Sequence, residues 1–357
     1  MREIQILRDK IDQIDDQLLK MINRRGDLAI KIGREKSKQG GNSHFHVPHR
    51  EREIIERLKG ANKGPFPDTS VEAVFREVFS ATLALEKPLN IAYLGPETTF
   101  THQASIKQFG RGAVFLPHSS IDAVFAEVER GTADYGVVPI ENSSEGVVNL
   151  TLDCFVDSPL LICDEIKMEI ALYLLSKSKD RNTLKVIYSH PNPLAQCRNW
   201  LNRNLPNTER VETSSTASAA AMAAKNKRAA AISGKLAAEH YRLNIQAENI
   251  QDQRENFTRF LVIGKNTARK TKRNKTSIMF SIKDESGALL KTLQLFARHK
   301  INLTKIQSRP LRNRPWEYLF YLDFEGHIED KTIVRVIELL KKRCLFLNVL
   351  GSYPHRV

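Results

Sequence analysis

The sequence predicts a multidomain protein with three folded segments: an all-α helical segment, a two-lobed α/β segment and a smaller α+β segment. Three patterns support this prediction. Apolar residues recur at steps of three and four over about the first 35 residues, which is the period of an amphipathic helix. Short apolar runs then alternate with helical patterns as far as residue 268, as in an α/β fold. The last segment reads strand, helix, strand, strand, helix, strand.

Length and cysteine usage set the broad class. A chain of 357 residues is long enough for two or three domains of roughly 100–200 residues each. Its four cysteines, Cys154, Cys163, Cys197 and Cys344, show no C-x-x-C spacing. This argues against a zinc site or a disulfide framework and fits a reducing cytosol. The N-terminus begins directly with a charged amphipathic pattern, and no apolar run reaches about 18 residues. We therefore expect a cytoplasmic protein without signal peptide or membrane span.

The net charge of +14 indicates an anionic partner. Nucleic acid is one candidate. Small anionic substrates are another, because positively charged clefts concentrate them. The cations are spread along the chain, apart from a cluster at 269–275 that reads as a solvated linker. We therefore predict small-molecule substrates and no nucleic-acid partner, although the charge alone leaves both open.

Residues 1–88 predict three helices. The apolar stripe of the first helix consists of Ile4, Leu7, Ile11, Ile14, Leu18, Met21, Leu28 and Ile32. Strong helix breakers arrive only at Gly40 and Gly41, so the helix should be about 35 residues, or roughly 50 Å, long. A helix of this length cannot bury its stripe within so small a segment. We expect it to pack against the two later helices and against a second chain.

Polar residues interrupt the buried faces of these helices. Arg25 occupies an apolar seam position, where a cation is costly unless it meets an anion. Lys36 follows eleven residues later on nearly the same face, about 16 Å along the helix, so the two cations could hold a small dianion. Thr82 and Glu86 are spaced i, i+4 on the buried face of the third helix. Arg8 lies on a different face and is better placed for the pocket of a symmetry mate.

This segment resembles the all-helical chorismate mutase domain, an intertwined helical dimer. The resemblance rests on Leu7-Arg8-x-x-Ile11-x-x-Ile14-Asp15, Arg25, Gly33, Lys36 and Arg50-Glu51. It implies rearrangement of chorismate to prephenate, which needs a folded substrate and well-placed cations but no metal, cofactor or nucleophile. The residues that it assigns to the site are Arg25 and Lys36 on the carboxylates and ether oxygen, Arg50, Glu51, Thr82, Glu86, and Arg8 from the other protomer.

Three departures from that family bear on the mutase site. Val47 stands where many relatives carry an acid, and the loop at 39–48 is longer than in some of them. Glu86 stands where some relatives have Gln, and it must be protonated to donate to the ether oxygen. We therefore expect mutase activity to fall as pH rises. His44, His46 and His49 allow a metal reading, but their glycine-rich setting offers no rigid scaffold.

Residues 89–268 predict two α/β lobes with a cleft between them. The predicted strands are 90–94, 113–116, 135–138, 160–162, 185–188, 229–232 and 260–263, with helices such as 121–130 and 217–225. Ligands of such sheets bind in loops at strand ends. Polar stretches suited to this role are 95–101, 139–146, 189–196 and Asn-Phe-Thr-Arg-Phe at 256–260.

In combination these stretches resemble prephenate dehydratase, whose two lobes are like those of periplasmic solute-binding proteins. The resemblance implies decarboxylation and dehydration of prephenate to phenylpyruvate. It gives Thr258 the essential threonine position, where the hydroxyl would hydrogen-bond or protonate the departing ring hydroxyl. The other assigned residues are Glu141, Asn142, Ser189 and Gln196, with Arg259 as a carboxylate contact. Thr98 stands where relatives usually have Gly, so we expect a reshaped loop.

Residues 275–357 predict a ferredoxin-like βαββαβ domain. Its strands are predicted at 276–282, 303–308, 316–324 and 345–350, its helices at 288–299 and 331–343. Alternation from Tyr318 to Phe324 indicates a sheet packed on one side. The segment resembles the ACT regulatory domain, which implies a phenylalanine site at a dimer interface. The implied contacts are Gly287, Ala288, Leu289, Leu290, Asn302, Ser308 and Arg309. Gln307 replaces the usual acid, which leaves the strength of feedback open. A structural dimerisation domain that has lost its ligand is the alternative.

The three resemblances together imply a cytoplasmic enzyme of phenylalanine synthesis that combines both activities and is inhibited by phenylalanine. Its domains would cover residues 1–88, 89–268 and 275–357, and it would form a homodimer or homotetramer. Three alternatives stay open: a two-lobed solute-binding protein, which would need export, an amino-acid sensor, and a dehydratase whose mutase domain is inactive because of Val47.

Overall fold

The structure is a computed structural model that describes residues 2–38, 48–253, 255–311 and 314–355. Within these ranges the side chains of 37, 48, 49, 311 and 314–317 are not described. The chain divides into two compact units. One comprises Met1–Asn90 with Ile106–Val114, and the other comprises Ile91–Ser105 with Phe115–Val357.

The first unit is helical, as predicted. Helix α1 spans Arg2–Lys38, α2 spans Pro48–Ala61 and α3 spans Asp68–Glu86. The expected long first helix is confirmed at 37 residues. It packs on α3, as does α2. Most of the apolar stripe on α1 nevertheless faces solvent in the single chain; Leu18 and Met21 are 54% and 61% exposed. Residues 39–47 of the expected loop, including Val47, lie outside the described residues, and the description resumes at Pro48.

Residues 90–264 form two sheets. The strands are β1 (Asn90–Leu94), β2 (Val114–His118), β3 (Tyr135–Asn142), β4 (Gly146–Val147), β5 (Leu161–Glu169), β6 (Tyr173–Ser176), β7 (Val186–Ser189), β8 (Glu209–Glu212), β9 (Ala229–Ser233), β10 (Asn244–Ala247) and β11 (Phe257–Gly264). The helices are α4 (Phe100–Phe109), α5 (Ile121–Arg130), α6 (Asn149–Asp157), α7 (Pro191–Gln196), α8 (Arg198–Asn204), α9 (Thr216–Ala223) and α10 (Lys235–Tyr241).

The two sheets define the two lobes. The first has the order β2-β1-β3-β11-β5, with β4 beside β3, and the second has the order β10-β6-β9-β7-β8. The chain passes from β5 into the second lobe and returns through β11, which lies between β3 and β5 in the first sheet. The predicted strand at 260–263 therefore begins earlier, at Phe257. The predicted loop at 139–146 is wrong in its first half, because β3 continues through Asn142, where it pairs with Thr258 of β11.

The last part is the expected ferredoxin-like domain. Its elements are β12 (Asn274–Ser281), α11 (Ala288–Arg298), β13 (Leu303–Leu311), β14 (Arg314–Glu325), α12 (Lys331–Lys341) and β15 (Phe346–Pro354), and the antiparallel sheet has the order β13-β14-β12-β15. Both helices pack on one face, around Phe280, Phe296 and Val336.

The prediction that this sheet is packed on one side is wrong. Leu319 and Tyr321 on its other face are buried in a common core with Leu152 and Phe155 of α6. The hydroxyl of Tyr321 donates to the carbonyl oxygen of Leu152 over 2.8 Å. The alternation in the sequence showed two faces, but the residues that cover the second face lie more than a hundred positions earlier in the chain.

Two further observations concern the described residues as a whole. No helix among them is long and apolar enough to cross a membrane. No cluster of three or more His, Cys, Asp or Glu side chains is placed to hold a metal ion in the described part of the chain. The four cysteines are free thiols, and His44 and His46 lie outside the described ranges.

Candidate active sites

The helical unit holds a partly buried cation, Arg25, between α1 and α3. Its guanidinium donates to the hydroxyl of Thr82, lies 3.5 Å from the carbonyl oxygen of Val78 and covers the ring of Phe79 at 4.9 Å. Burial lowers the pKa of Arg25, while Glu51 and Glu86 oppose that shift. Neutral groups make these three contacts, and the carboxylates of Glu51 and Glu86 act on the same cation.

Glu86 faces the same site from the end of α3. Its Oε2 lies 3.9 Å from Lys36 Nζ. Burial raises the pKa of the Glu86 carboxyl, against the opposing effect of Lys36 and Arg25. Oε2 is buried and has no hydrogen-bond partner within the described residues. The close approach of α1 depends on Gly33, because a Cβ there would lie 3.1 Å from Glu86 Cγ.

The structure gathers five of the seven predicted mutase residues: Arg25, Lys36, Glu51, Thr82 and Glu86. Arg50 is exposed and pairs with Glu53 at 3.3 Å instead. Arg8 is exposed and lies 17 residues before Arg25, about 25 Å along the helix. Neither residue joins this cluster within one chain.

The second candidate site centres on Thr258, which is only 9% exposed. It pairs across the sheet with Asn142, so the two side chains share one face. Asn142 Nδ2 donates to Thr258 Oγ1 over 2.8 Å. The amide therefore occupies a lone pair of the hydroxyl oxygen and leaves the hydroxyl proton to be donated elsewhere.

A chain of amides continues from this pair. Asn142 Nδ2 also donates to Asn256 Oδ1 over 3.0 Å, and Asn256 Nδ2 donates to Gln196 Oε1 over 3.0 Å. Gln196 Nε2 donates to Glu145 Oε1 over 3.2 Å, and Asn192 donates to the other oxygen of Glu145. Because Gln196 and Asn192 belong to α7 of the second lobe, the network joins the two lobes.

An open cleft of about 550 Å³ lies beside this network. Residues that line it include Ser144, Glu145, Asn192, Gln196, Asp252 and Asn256. The predicted residue Ser189 does not join the network. It is fully buried at the end of β7, and its hydroxyl donates to the carbonyl oxygen of Ile232 over 2.8 Å.

The other two predicted residues, Glu141 and Arg259, lie on the opposite face of the same strands. They pair with each other across β3 and β11, one position from Asn142 and Thr258, and successive strand residues point to opposite faces. Glu141 Oε2 lies 2.9 Å from Lys305 Nζ, and Arg259 NH1 lies 2.7 Å from Asp323 Oδ2. The structure thus places both beside the regulatory sheet rather than among the amides of the cleft.

The predicted phenylalanine residues divide in a similar way. Gly287 has φ +78°, a left-handed conformation that favours glycine, and caps α11 just before Ala288. Leu290 is 61% exposed, and Leu289 packs against the domain core. Asn302, just before β13, and Ser308 on that strand are exposed. Arg309 of β13 instead pairs with Asp153 of α6 at 3.2 Å.

Sequence reasoning missed Asn256, Glu145 and Lys305 as functional candidates. Asn256 and Glu145 stood inside stretches already recognised as polar, and Asn256 is 1% exposed. A buried Asn two positions before a candidate catalytic Thr on a strand shares its face, which could have identified it. No local signal marks Lys305, because its partner Glu141 is 164 positions away.

Comparison with known proteins gives consistent results. The chorismate mutase type II family matches residues 7–87, the prephenate dehydratase family 91–268 and the ACT domain 276–338. A bifunctional chorismate mutase/prephenate dehydratase from Aquifex aeolicus is 49% identical over 99% of this chain and 98% of its own length. The same enzyme of Pseudomonas aeruginosa is 41% identical over the same shares of the two chains.

A solved structure is also similar. It is a prephenate dehydratase from Arthrobacter aurescens in complex with L-Phe, with a TM-score of 0.70 and 32% identity. The match covers 75% of this chain and 90% of that one.

Proposed function

The chain belongs to the family of bifunctional chorismate mutase/prephenate dehydratases, and we propose that its two candidate sites carry out these two reactions in turn. Chorismate is rearranged to prephenate in the helical unit, and prephenate becomes phenylpyruvate at the cleft beside Thr258. Phenylalanine inhibits through the ACT domain. The observation that carries the proposal for the second reaction is the hydrogen bond from Asn142 to Thr258. It orients the Thr258 hydroxyl, whose proton stays free to be donated beside the cleft.

The mutase reaction asks the protein only to hold a folded substrate and to stabilise developing charge. Arg25 and Lys36 supply the cations for a dianionic substrate. Glu86, with its pKa raised by burial, donates a hydrogen bond from its protonated carboxyl to the ether oxygen and keeps the proton. Its Oε2 has no hydrogen-bond partner among the described residues, and a ligand would satisfy a buried polar atom of this kind. Glu51 and Thr82 complete the wall.

The dehydratase reaction breaks two bonds of prephenate. The bond from the ring to its carboxylate breaks, CO₂ departs, and the electron pair moves through the ring. The carbon–oxygen bond of the ring hydroxyl then breaks, and the departing hydroxide takes up a proton to leave as water. Thr258 is placed to donate that proton, with Asn142 orienting its oxygen. Aromatisation drives the reaction, so orientation and modest proton transfer suffice.

Three further assignments complete the proposal. The exposed stripe of α1 and the separation of Arg8 from Arg25 fit a homodimer in which each chain lends Arg8 to the other. Sedimentation showing only monomers would contradict it.

The phenylalanine site is formed by Gly287, Ala288, Leu289, Leu290, Asn302 and Ser308. If calorimetry detects no heat of binding with phenylalanine, the ACT domain has only a structural role. The free thiols fit a cytoplasmic enzyme.

The decisive experiment replaces Thr258 and follows both reactions in the full chain. Thr258→Ala should lower prephenate turnover by about a hundredfold or more, while chorismate disappearance stays near the wild-type rate. Thr258→Ser keeps the hydroxyl and should retain most turnover. Wild-type turnover in Thr258→Ala would remove Thr258 from the mechanism. Loss of both reactions in a folded protein would refute two separate sites, and a wild-type chain that leaves chorismate unchanged would show an inactive mutase domain.

A further inference from the structure

Strand β13 of the regulatory domain has two different faces. Lys305, Gln307 and Arg309 are half-buried, whereas Ile306 and Ser308 between them are exposed. This is the alternation of a strand covered on one side. The exposed side carries part of the proposed phenylalanine site. The covered side is directed at the dehydratase lobe.

Lys305 makes the central contact on the covered side. Its ammonium lies 2.9 Å from Glu141 Oε2, and its side chain is only 12% exposed. Glu141 precedes Asn142 on β3 and stands opposite Arg259 on β11, with 4.0 Å between their charged atoms. Lys305 therefore holds the residue adjacent to the amide that orients Thr258.

Arg259 is held in the same way from β11. Its guanidinium contacts Glu165 Oε2 at 2.7 Å, Asp323 Oδ2 at 2.7 Å and the hydroxyl of Tyr353 at 2.9 Å. Asp323 and Tyr353 belong to the regulatory sheet. Glu165 of β5 is also bound by Lys275 of β12 at 2.9 Å. Both strands that carry the catalytic pair are thus attached to the regulatory domain one residue away from that pair.

We propose that Lys305 is a positioning residue of the dehydratase: by holding Glu141, it fixes β3 so that Asn142 presents the hydroxyl of Thr258 to prephenate. The proposal rests on the dehydratase function proposed above. It assigns Glu141 and Arg259 to the support of the catalytic pair, on the face away from the cleft. Arg309 gives similar support to α6 through Asp153. The regulatory domain is thereby part of the dehydratase site's framework as well as its sensor.

The physical basis is the narrow tolerance of oriented catalysis. Displacement of a catalytic group by about 1 Å can lower a rate by about a hundredfold. Removal of Lys305 takes away one side-chain contact that holds Glu141, at the end of β3 where Asn142 lies, while the pairing of β3 with β11 and β4 remains. The expected effect falls on turnover rather than on binding, because Lys305 does not reach the amides that line the cleft.

The test uses the full-length enzyme with Lys305→Met, Lys305→Arg and Lys331→Met. Lys331 is an exposed lysine of the same domain and serves as the matched control. We expect kcat for prephenate to fall about tenfold or more in Lys305→Met, with KM changed less than threefold and mutase turnover unaltered. Lys305→Arg should restore most of kcat, and Lys331→Met should match the wild type.

Wild-type kcat in Lys305→Met would overturn the inference while leaving the dehydratase function intact. A rise in KM alone would also overturn it, because that would make Lys305 a binding residue. If Lys305→Met does not fold, Lys305→Gln, which keeps a polar end, is measured under the same criteria. An inactive wild-type enzyme would instead overturn the proposed function itself, so the two failures are distinguishable.

Discussion

Gly351 of β15 lies directly against the backbone of Ile162 in β5. A Cβ at Gly351 would overlap the carbonyl oxygen of Ile162 and lie 2.9 Å from its amide nitrogen. Backbone atoms cannot move aside as a flexible side chain can. Glycine at this position is therefore what allows the regulatory sheet to approach the dehydratase lobe closely enough for the Arg259–Asp323 and Lys305–Glu141 contacts.

Gly351→Ala should consequently separate β15 from β5. We expect the free energy of unfolding of the unit that contains both strands to fall by about 1–3 kcal/mol, as for other overpacked sites. Prephenate turnover should fall with it, while mutase turnover remains. Chemical denaturation with both assays measures this. Gly60→Ala is the matched control, since nothing lies within 4 Å of a Cβ there. Unchanged stability in Gly351→Ala would show that the strands separate without loss.

Glu86 predicts the pH dependence of the mutase. Burial raises the pKa of its carboxyl, so Glu86 stays protonated to higher pH than an ordinary glutamate. As pH rises through that raised pKa, the proton that hydrogen-bonds to the ether oxygen is lost and replaced by a negative charge. Mutase kcat/KM measured from about pH 5 to 9 should therefore fall as pH rises.

Glu86→Gln tests this assignment, because an amide donates a hydrogen bond at every pH. The dependence of mutase kcat/KM on pH should be flatter in this variant than in the wild type. Its kcat/KM relative to the wild type should be highest at high pH. Glu56→Gln removes an exposed carboxylate of α2 and should keep the wild-type profile. A flat profile in the unmodified enzyme would refute the role of Glu86 as a hydrogen-bond donor.

The parts of this molecule that the sequence predicted are those with local signals. The stripe of α1 repeats every three or four residues, so its length and the common face of Arg25 and Lys36 followed from spacing alone. The order of strands and helices along the ACT domain could be predicted for the same reason. Gly287 at the start of α11 was recognised from a short motif.

The roles of Glu141 and Arg259 could not be read in this way. Their neighbours Asn142 and Thr258 are 116 positions apart in the chain, and only the pairing register of β3 with β11 decides which side chains share a face. A shift by one residue would exchange the two pairs between cleft and regulatory sheet. Adjacent polar residues in one motif therefore indicated one site, although strand geometry assigns them to two faces.

Thr98 offers a prediction about backbone strain. Its φ is +68°, in the left-handed region where a β-branched side chain is disfavoured. The residue is 3% exposed, and its hydroxyl has no hydrogen-bond partner among the described residues. Its amide donates to His102 Nδ1 over 3.0 Å, which holds the turn in place. The loop thus has a backbone conformation at Thr98 that suits glycine better than threonine.

Thr98→Gly should accordingly stabilise the protein by about 1 kcal/mol, because the backbone strain and the unsatisfied hydroxyl are removed. The greater freedom of the unfolded chain with glycine offsets part of this gain. Thr98→Ala removes the hydroxyl and the branching but keeps a Cβ at positive φ, so its gain should be smaller. Urea denaturation of the three proteins gives the order. If Thr98→Ala is as stable as Thr98→Gly, the left-handed backbone costs nothing measurable here, and the unsatisfied hydroxyl alone accounts for the gain.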